Sequence, residues 1–136
     1  TGYMDEMRYS KVARYTAGVT FTPNEVSASN ATGSYESTAQ TANASVTTIS
    51  AVVTYTNATG TATLNTDIIL EVSADNGSTW QSASLTAAGT FSTGVLQATT
   101  NDITVVAGTQ IKYKMSFANQ ASATKVTRIN GVSLSY

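Results

Sequence analysis

The side chains able to make or break bonds are few in this chain and poorly placed for doing so. Eight carboxylates and seven basic residues stand against no histidine and no cysteine. That removes the usual proton shuttle near neutral pH, every thiolate mechanism and any disulfide. Asp5 and Glu6 are adjacent, and neighbours on a strand point to opposite faces, so they cannot flank one bond as an acid and base pair. Arg8 is their expected ion-pair partner. Ser122-Ala123-Thr124-Lys125 spells the S-x-x-K of a lysine-activated serine, but it lies between strands in a chain with 25 Thr and 16 Ser, where such spacings recur by chance. Asp67, Asp75, Asn76 and Asp102 offer the oxygens that Ca²⁺ takes, without the dense spacing of a calcium loop. No catalytic, cofactor or metal site is expected, and the chain reads as a non-enzyme.

The sharpest local pattern is Ser73-Ala74-Asp75-Asn76-Gly77-Ser78-Thr79-Trp80. It resembles the S-x-D-x-G-x-T-W Asp-box of sialidase-type propellers, whose chemistry is structural. The Asp side chain accepts backbone N–H groups across the turn, Gly takes positive φ and Trp packs beneath the loop. A glycosidase of that type needs several copies and an arginine cluster, and this chain has one copy and no such cluster. Ser73, Asp75, Gly77, Thr79 and Trp80 are therefore read as a hairpin staple. Trp80, Tyr55 and Tyr113 could stack on sugars, but they fall at core-facing or hairpin-packing positions. Asn30, Asn43, Asn57 and Asn76 each begin N-x-S/T, a frequency that a Ser/Thr-rich chain produces by chance.

The elements carrying these residues are strands. Val46 to Thr56 places Ile49, Ala51, Val53 and Tyr55 on one face, then Asn57-Ala58-Thr59-Gly60 turns. Leu64 to Ser73 aims Ile68, Leu70 and Val72 one way. Thr79 to Leu85 and Phe91 to Thr99 are expected to flank a turn at Ala87-Ala88-Gly89, and Ile103 to Val106 leads to Gly108. Ile111, Tyr113, Met115 and Phe117 face inward with Lys112, Lys114 and Ser116 outward. Val126 to Tyr136 breaks its period at Asn130-Gly131, which predicts a bulge. The expected core is Ile68, Leu70, Val72, Trp80, Ile111, Tyr113, Met115, Phe117, Val132 and Leu134. Seven or eight such strands imply an all-β, antiparallel two-sheet β-sandwich, of jelly-roll or immunoglobulin-like form, with an N-terminal strand or arm extension.

Composition supports this reading. The 136 residues suffice for one domain with a core. Only 11% are charged, against about 25% in an average domain, so hydroxyls and amides must cover the surface. Threonine's branched side chain suits a pleated sheet. The net charge is −1, with basic residues scattered, which makes nucleic acid an unsuitable partner. No apolar run is long enough to cross a membrane as a helix and no signal-peptide pattern opens the chain. Residues 1–22 hold five of the fifteen charges with Tyr3, Tyr9 and Tyr15, so a composition boundary falls at Pro23. Residues 1–23 are read as an arm, 24–43 as a polar linker or edge segment with a short strand around Tyr35, and 44–136 as the sandwich. Because Thr1 lies in a strand-like stretch without an initiator Met, the chain is expected to derive from a longer polypeptide.

Gly2-Tyr3-Met4-Asp5-Glu6-Met7-Arg8-Tyr9-Ser10-Lys11-Val12-Ala13-Arg14-Tyr15-Thr16, ending in Phe21-Thr22-Pro23, resembles the closing strand of concanavalin A-like, laminin G-type jelly rolls in phage tail proteins. It lacks one residue of that pattern after Lys11 and approaches Phe21 by a longer path. Leu64-Asn65-Thr66-Asp67, the Val72 to Trp80 hairpin, Leu85-Thr86, the Gly108-Thr109 turn into Ile111-Lys112-Tyr113-Lys114, and Asn130-Gly131-Val132-Ser133-Leu134 are similar to a C-terminal module of phage structural and tail-fibre proteins. The resemblance implies an extracellular virion structural protein of a tail fibre or appendage. It would be a homo-oligomer among other virion proteins, with host-surface glycans as possible ligands and Tyr3, Met4, Met7, Tyr9 and Tyr15 forming an assembly arm. A capsid decoration protein, or a bacterial surface adhesin or filament subunit, is the alternative.

Overall fold

The computed structural model describes residues 30–121 and 124–136. Arm residues Tyr3, Met4, Met7, Tyr9 and Tyr15 lie outside the described residues, as does Ser122 of the S-x-x-K sequence. Seven strands follow one another with no helix among the described residues: β1 (Ala31–Glu36), β2 (Gln40–Thr59), β3 (Ile68–Ser73), β4 (Gln81–Ala83), β5 (Thr86–Ser92), β6 (Val95–Gln120) and β7 (Val126–Ser135). All pair antiparallel. The fold is all-β.

β6 organises the whole. Its C-terminal part pairs with β3, Ile68 opposite Phe117 and Ser73 opposite Lys112, and on its other side with β1. Its N-terminal part pairs with β5 on one side and with β2 on the other, and β2 in turn pairs with β7. Two ladders result, β4-β3-β6-β1 and β5-β6-β2-β7, joined through β6 into one continuous seven-stranded sheet. Inward residues of both ladders share one core: Ile68, Leu70, Val72, Ile111 and Met115 from the first, with Ile49, Ala51, Val53 and Ala98 from the second. Fully burying each of the larger aliphatic side chains stabilises the fold by about 1.5–3 kcal/mol.

The passage of β6 between ladders needs a glycine. A Cβ on Gly108 would overlap the carbonyl oxygen of Ala74, which also accepts the Gln110 N–H at 2.9 Å. The sequence predicts a turn here and another break after Thr99. Instead β6 runs on, and the interruption at Asn101-Asp102 is a bulge in which Asp102 has φ 50° and its N–H donates to Ser50 Oγ at 3.0 Å. Ala87-Ala88-Gly89 is likewise not the hairpin turn. Gly89 sits at an irregularity inside β5, and the chain reverses after Ser92, at Thr93 and Gly94. The expected Asn130-Gly131 bulge is present, with Gly131 opposite Thr54 and Ile129 opposite Tyr55.

One further correction concerns burial. Of the expected core, Ile68, Leu70, Val72, Ile111 and Met115 are fully buried, whereas Trp80, Tyr113, Phe117, Val132 and Leu134 are half-buried. Trp80 packs on the outer face of its ladder, and the other four line the side where β1 and β7 end the two ladders. Within residues 24–43, expected to be a polar linker or edge segment with a short strand around Tyr35, residues 31–36 and 40–43 are strand. Polar Thr and Ser gave no alternation there because β1 is exposed along its whole length.

Candidate functional site

Two carboxylates are held in built surroundings, each by local chain chemistry. The first is Asp75, just beyond β3. Asn76 and Gly77 both have positive φ, 64° and 81°, which turns the chain tightly enough for Asp75 to reach forward. Its Oδ1 accepts the Thr79 N–H at 2.9 Å and the Ser73 hydroxyl at 2.7 Å, and its Oδ2 accepts the Thr79 hydroxyl at 2.7 Å. The Gly77 N–H donates to Ser73 Oγ at 2.9 Å, not to Asp75. The Thr79 N–H, then the Ser73 and Thr79 hydroxyls, hold the Asp75 carboxyl down at a pKa of about 2. Trp80 lies against Gly77, where a Cβ would press on its ring. Its outer side carries Lys114 Nζ at 4.8 Å and Lys112 Nζ at 5.7 Å from the ring centroid, a cation–π arrangement. Lys114 pairs with Glu71 at 2.7 Å and Lys112 with Glu36 at 2.9 Å.

The second is Asp67, 1% exposed. Residues 60–67 form a compact loop. Asn57 Oδ1 accepts the Ala62 N–H at 3.0 Å and Thr63 O accepts the Asp67 N–H at 2.8 Å. Asn65, at φ 64°, exchanges two side-chain bonds with the backbone of Leu85, at 2.8 and 2.9 Å. The Asp67 carboxylate accepts Lys125 Nζ at 2.6 Å, the Thr63 N–H at 2.8 Å and Asn119 Nδ2 at 2.8 Å. The Lys125 bond first, with the Thr63 N–H and Asn119 next, holds its pKa at about 2 despite burial. This cluster was not foreseen. Two of its three partners, Asn119 and Lys125, lie 52 and 58 residues away in sequence, and only the L-N-T-D sequence at Leu64–Asp67 points to it.

No family model, curated protein or solved structure matches this chain. What it does must therefore be argued from its geometry. Asp67 and Asp75 lie in separate surroundings, neither joined to Asp102, and no group of three or more acidic residues is placed to hold a metal among the described residues. A carboxylate kept ionised by three donors is a poor proton carrier near neutral pH, since its affinity for protons lies far below it. Both sites fasten loops. Lys125 of the S-x-x-K sequence is engaged by Asp67.

Proposed function

We propose that this chain is a non-enzymatic structural protein of a virion appendage, of the phage tail-fibre type its sequence resembles. It works there as a homo-oligomer in contact with other virion proteins and host-surface glycans. The observation that supports this best is the outer face of the β5-β6-β2-β7 ladder. Its central cross-strand rows read Ser133, Val52, Thr99, Thr86 and Gly131, Thr54, Gln97: hydroxyls, an amide and one exposed valine, with no charge until Arg128, opposite Thr56, in the next row. The outer face of the other ladder carries Glu36, Glu71, Lys112 and Lys114. Covering a hydroxyl face costs far less desolvation than covering charges, provided the hydroxyls find partners. Strands β5 and β7 end this ladder with unpaired edges among the described residues; β7 is blunted at its N-terminal half by Arg128 and the Asn130-Gly131 bulge, while its C-terminal half, Val132 to Ser135, carries no charge, proline or bulge.

Native mass spectrometry and sedimentation of the full chain test this reading. It is expected to form a defined oligomer, and Val52→Lys, central on the neutral face, is expected to dissociate it while the β-sheet circular dichroism is retained. A full chain that stays monomeric at every concentration would overturn the proposal. Labelling with an antibody to this chain should place it on a particle appendage.

A further inference from the structure

Two grooves meet at Tyr136, which is 55% exposed and lines both. The first, of about 350 Å³, is lined by apolar Ile111, Val132 and Leu134, by Tyr113 and by polar Thr38 and Gln40. The second, of about 430 Å³, is lined chiefly by polar side chains, Asn43, Ser45 and Thr48 among them. The strands explain both. Val132 and Leu134 stand on the core side of β7, opposite Val53 and Ala51, and Tyr136 continues their row. The link from β1 to β2 is fastened to β6 by a reciprocal pair: the Ser37 N–H donates to Tyr113 O at 2.9 Å and the Tyr113 N–H to Ser37 Oγ at 3.0 Å. β2 then bulges. Val46 lies five positions after Thr41, but its partner Gly108 stands only two before Gln110, the partner of Thr41. The extra residues of β2 swell out of the ladder and shape the second groove.

We propose that these grooves are the two halves of one binding site for a neutral oligosaccharide, with a sugar ring in each and Tyr136 between them. The proposal rests on the glycan contact proposed above and gives it a place in the fold. The lining selects the chemistry. None of the described residues lining either groove is charged, so an ionic ligand would give up water without gaining a counter-charge. A wholly apolar ligand would cover the hydroxyls and amides of Thr38, Gln40, Asn43 and Ser45 without pairing them, at a cost for each. A pyranose has both kinds of surface. Its axial C–H groups, slightly positive, match the negative face of a tyrosine ring, and its hydroxyls match amide and hydroxyl partners. Both volumes fall in the range of small-ligand sites, and the Ser37–Tyr113 pair holds one wall in place before any ligand arrives.

Saturation-transfer NMR titrations of the full chain decide it, with neutral hexasaccharides of glucose, galactose, mannose and N-acetylglucosamine as probes and a sulfated heparin hexasaccharide beside them. At least one neutral probe is expected to bind, and more tightly than heparin. Tyr136→Ala is expected to weaken that binding roughly tenfold, and Tyr136→Phe, which keeps the ring, by at most about threefold. The β-sheet circular dichroism should be unchanged in both. Val52→Lys, on the outer face of the second ladder, is expected to leave the affinity per chain as it was. Failure of every neutral probe to bind, binding indifferent to Tyr136→Ala, or a preference for heparin would each overturn the proposal, even in a chain that forms the expected oligomer. Binding that depends on Tyr136 in a chain that stays monomeric would uphold it while the association reading fails.

Discussion

Replacing Asp67 by Asn tests how far one buried carboxylate holds the loops in place. Asn is nearly isosteric, so packing is kept, but its amide turns a hydrogen-bond donor toward donors: Lys125 Nζ at 2.6 Å, the Thr63 N–H and Asn119 Nδ2, both at 2.8 Å. Lys125 is 28% exposed at its side chain and can return to water, so its loss counts for less than its short distance suggests. The remaining charge-assisted bonds to a carboxylate that is 1% exposed give about 3 kcal/mol. The depressed proton affinity gives a second route to the number. A carboxyl moved from 3.8 to about 2 contributes roughly 2 kcal/mol at neutral pH. At this chain length a loss of that size lowers Tm by roughly 10 °C. Because the folded pKa lies below the unfolded one, the contribution is complete above about pH 5 and fades as the pH falls through 4 toward 2. Urea unfolding followed by the fluorescence of Trp80, the one tryptophan, should show a gap between the two proteins that is wide at pH 7 and closes in acid. Asp75 titrates in both proteins, so the gap isolates Asp67. A variant within about 0.5 kcal/mol of the natural protein, or a gap that does not change with pH, would refute the reasoning.

Leu70→Ala, at a fully buried position, should cost about 3–4 kcal/mol in the same urea assay, whereas Phe117→Ala, half-buried beside Tyr35, should cost about half as much. Gly108→Ala should destabilise by at least about 2 kcal/mol, because its Cβ would meet the backbone carbonyl of Ala74, which cannot swing aside as a side chain could. Asp75→Asn should speed exchange of the Thr79 amide while the Leu70 amide stays protected. In the natural protein that amide should lose protection as the pH drops from about 4 toward the Asp75 pKa of about 2.

What could be read from the sequence followed distance along the chain. Alternation in Ile49 to Tyr55, Ile68 to Val72 and Ile111 to Phe117 depends on neighbours two residues apart, and those strands stand where the period put them. The Asn130-Gly131 bulge showed itself as a break in period. Glycine was a weaker guide, since Gly89 and Gly108 mark an irregularity and a close backbone approach inside strands, where a turn was expected. Trp80 is expected in the core as the residue that packs beneath its hairpin, but it is half-buried, with its ring under Lys112 and Lys114. The Asp67 cluster was hidden for a different reason. Its members come from the loop after β2, the end of β6 and the approach to β7, and no local pattern ties residues more than fifty positions apart.

Charge in this fold serves mainly as a fastener. Glu36, Asp67, Glu71 and Asp75 are all bonded, to Lys112, Lys125, Lys114 and the Ser73–Thr79 turn respectively; the first three bonds join segments far apart in sequence, and those of Asp75 close its own turn. Such pairs hold registers that a Thr-rich sheet specifies weakly, because hydroxyl side chains fit either face. Placing the ionic pairs on the β4-β3-β6-β1 ladder and in its loops leaves the central rows of the other ladder neutral. Neutrality there has a physical consequence for association. A face of hydroxyls can exchange water for partner hydrogen bonds at small net cost, and salt should therefore have little effect on it. In the proposed association these central rows are the part of the face that a copy of the chain would cover, with Arg128, opposite Thr56, at their margin.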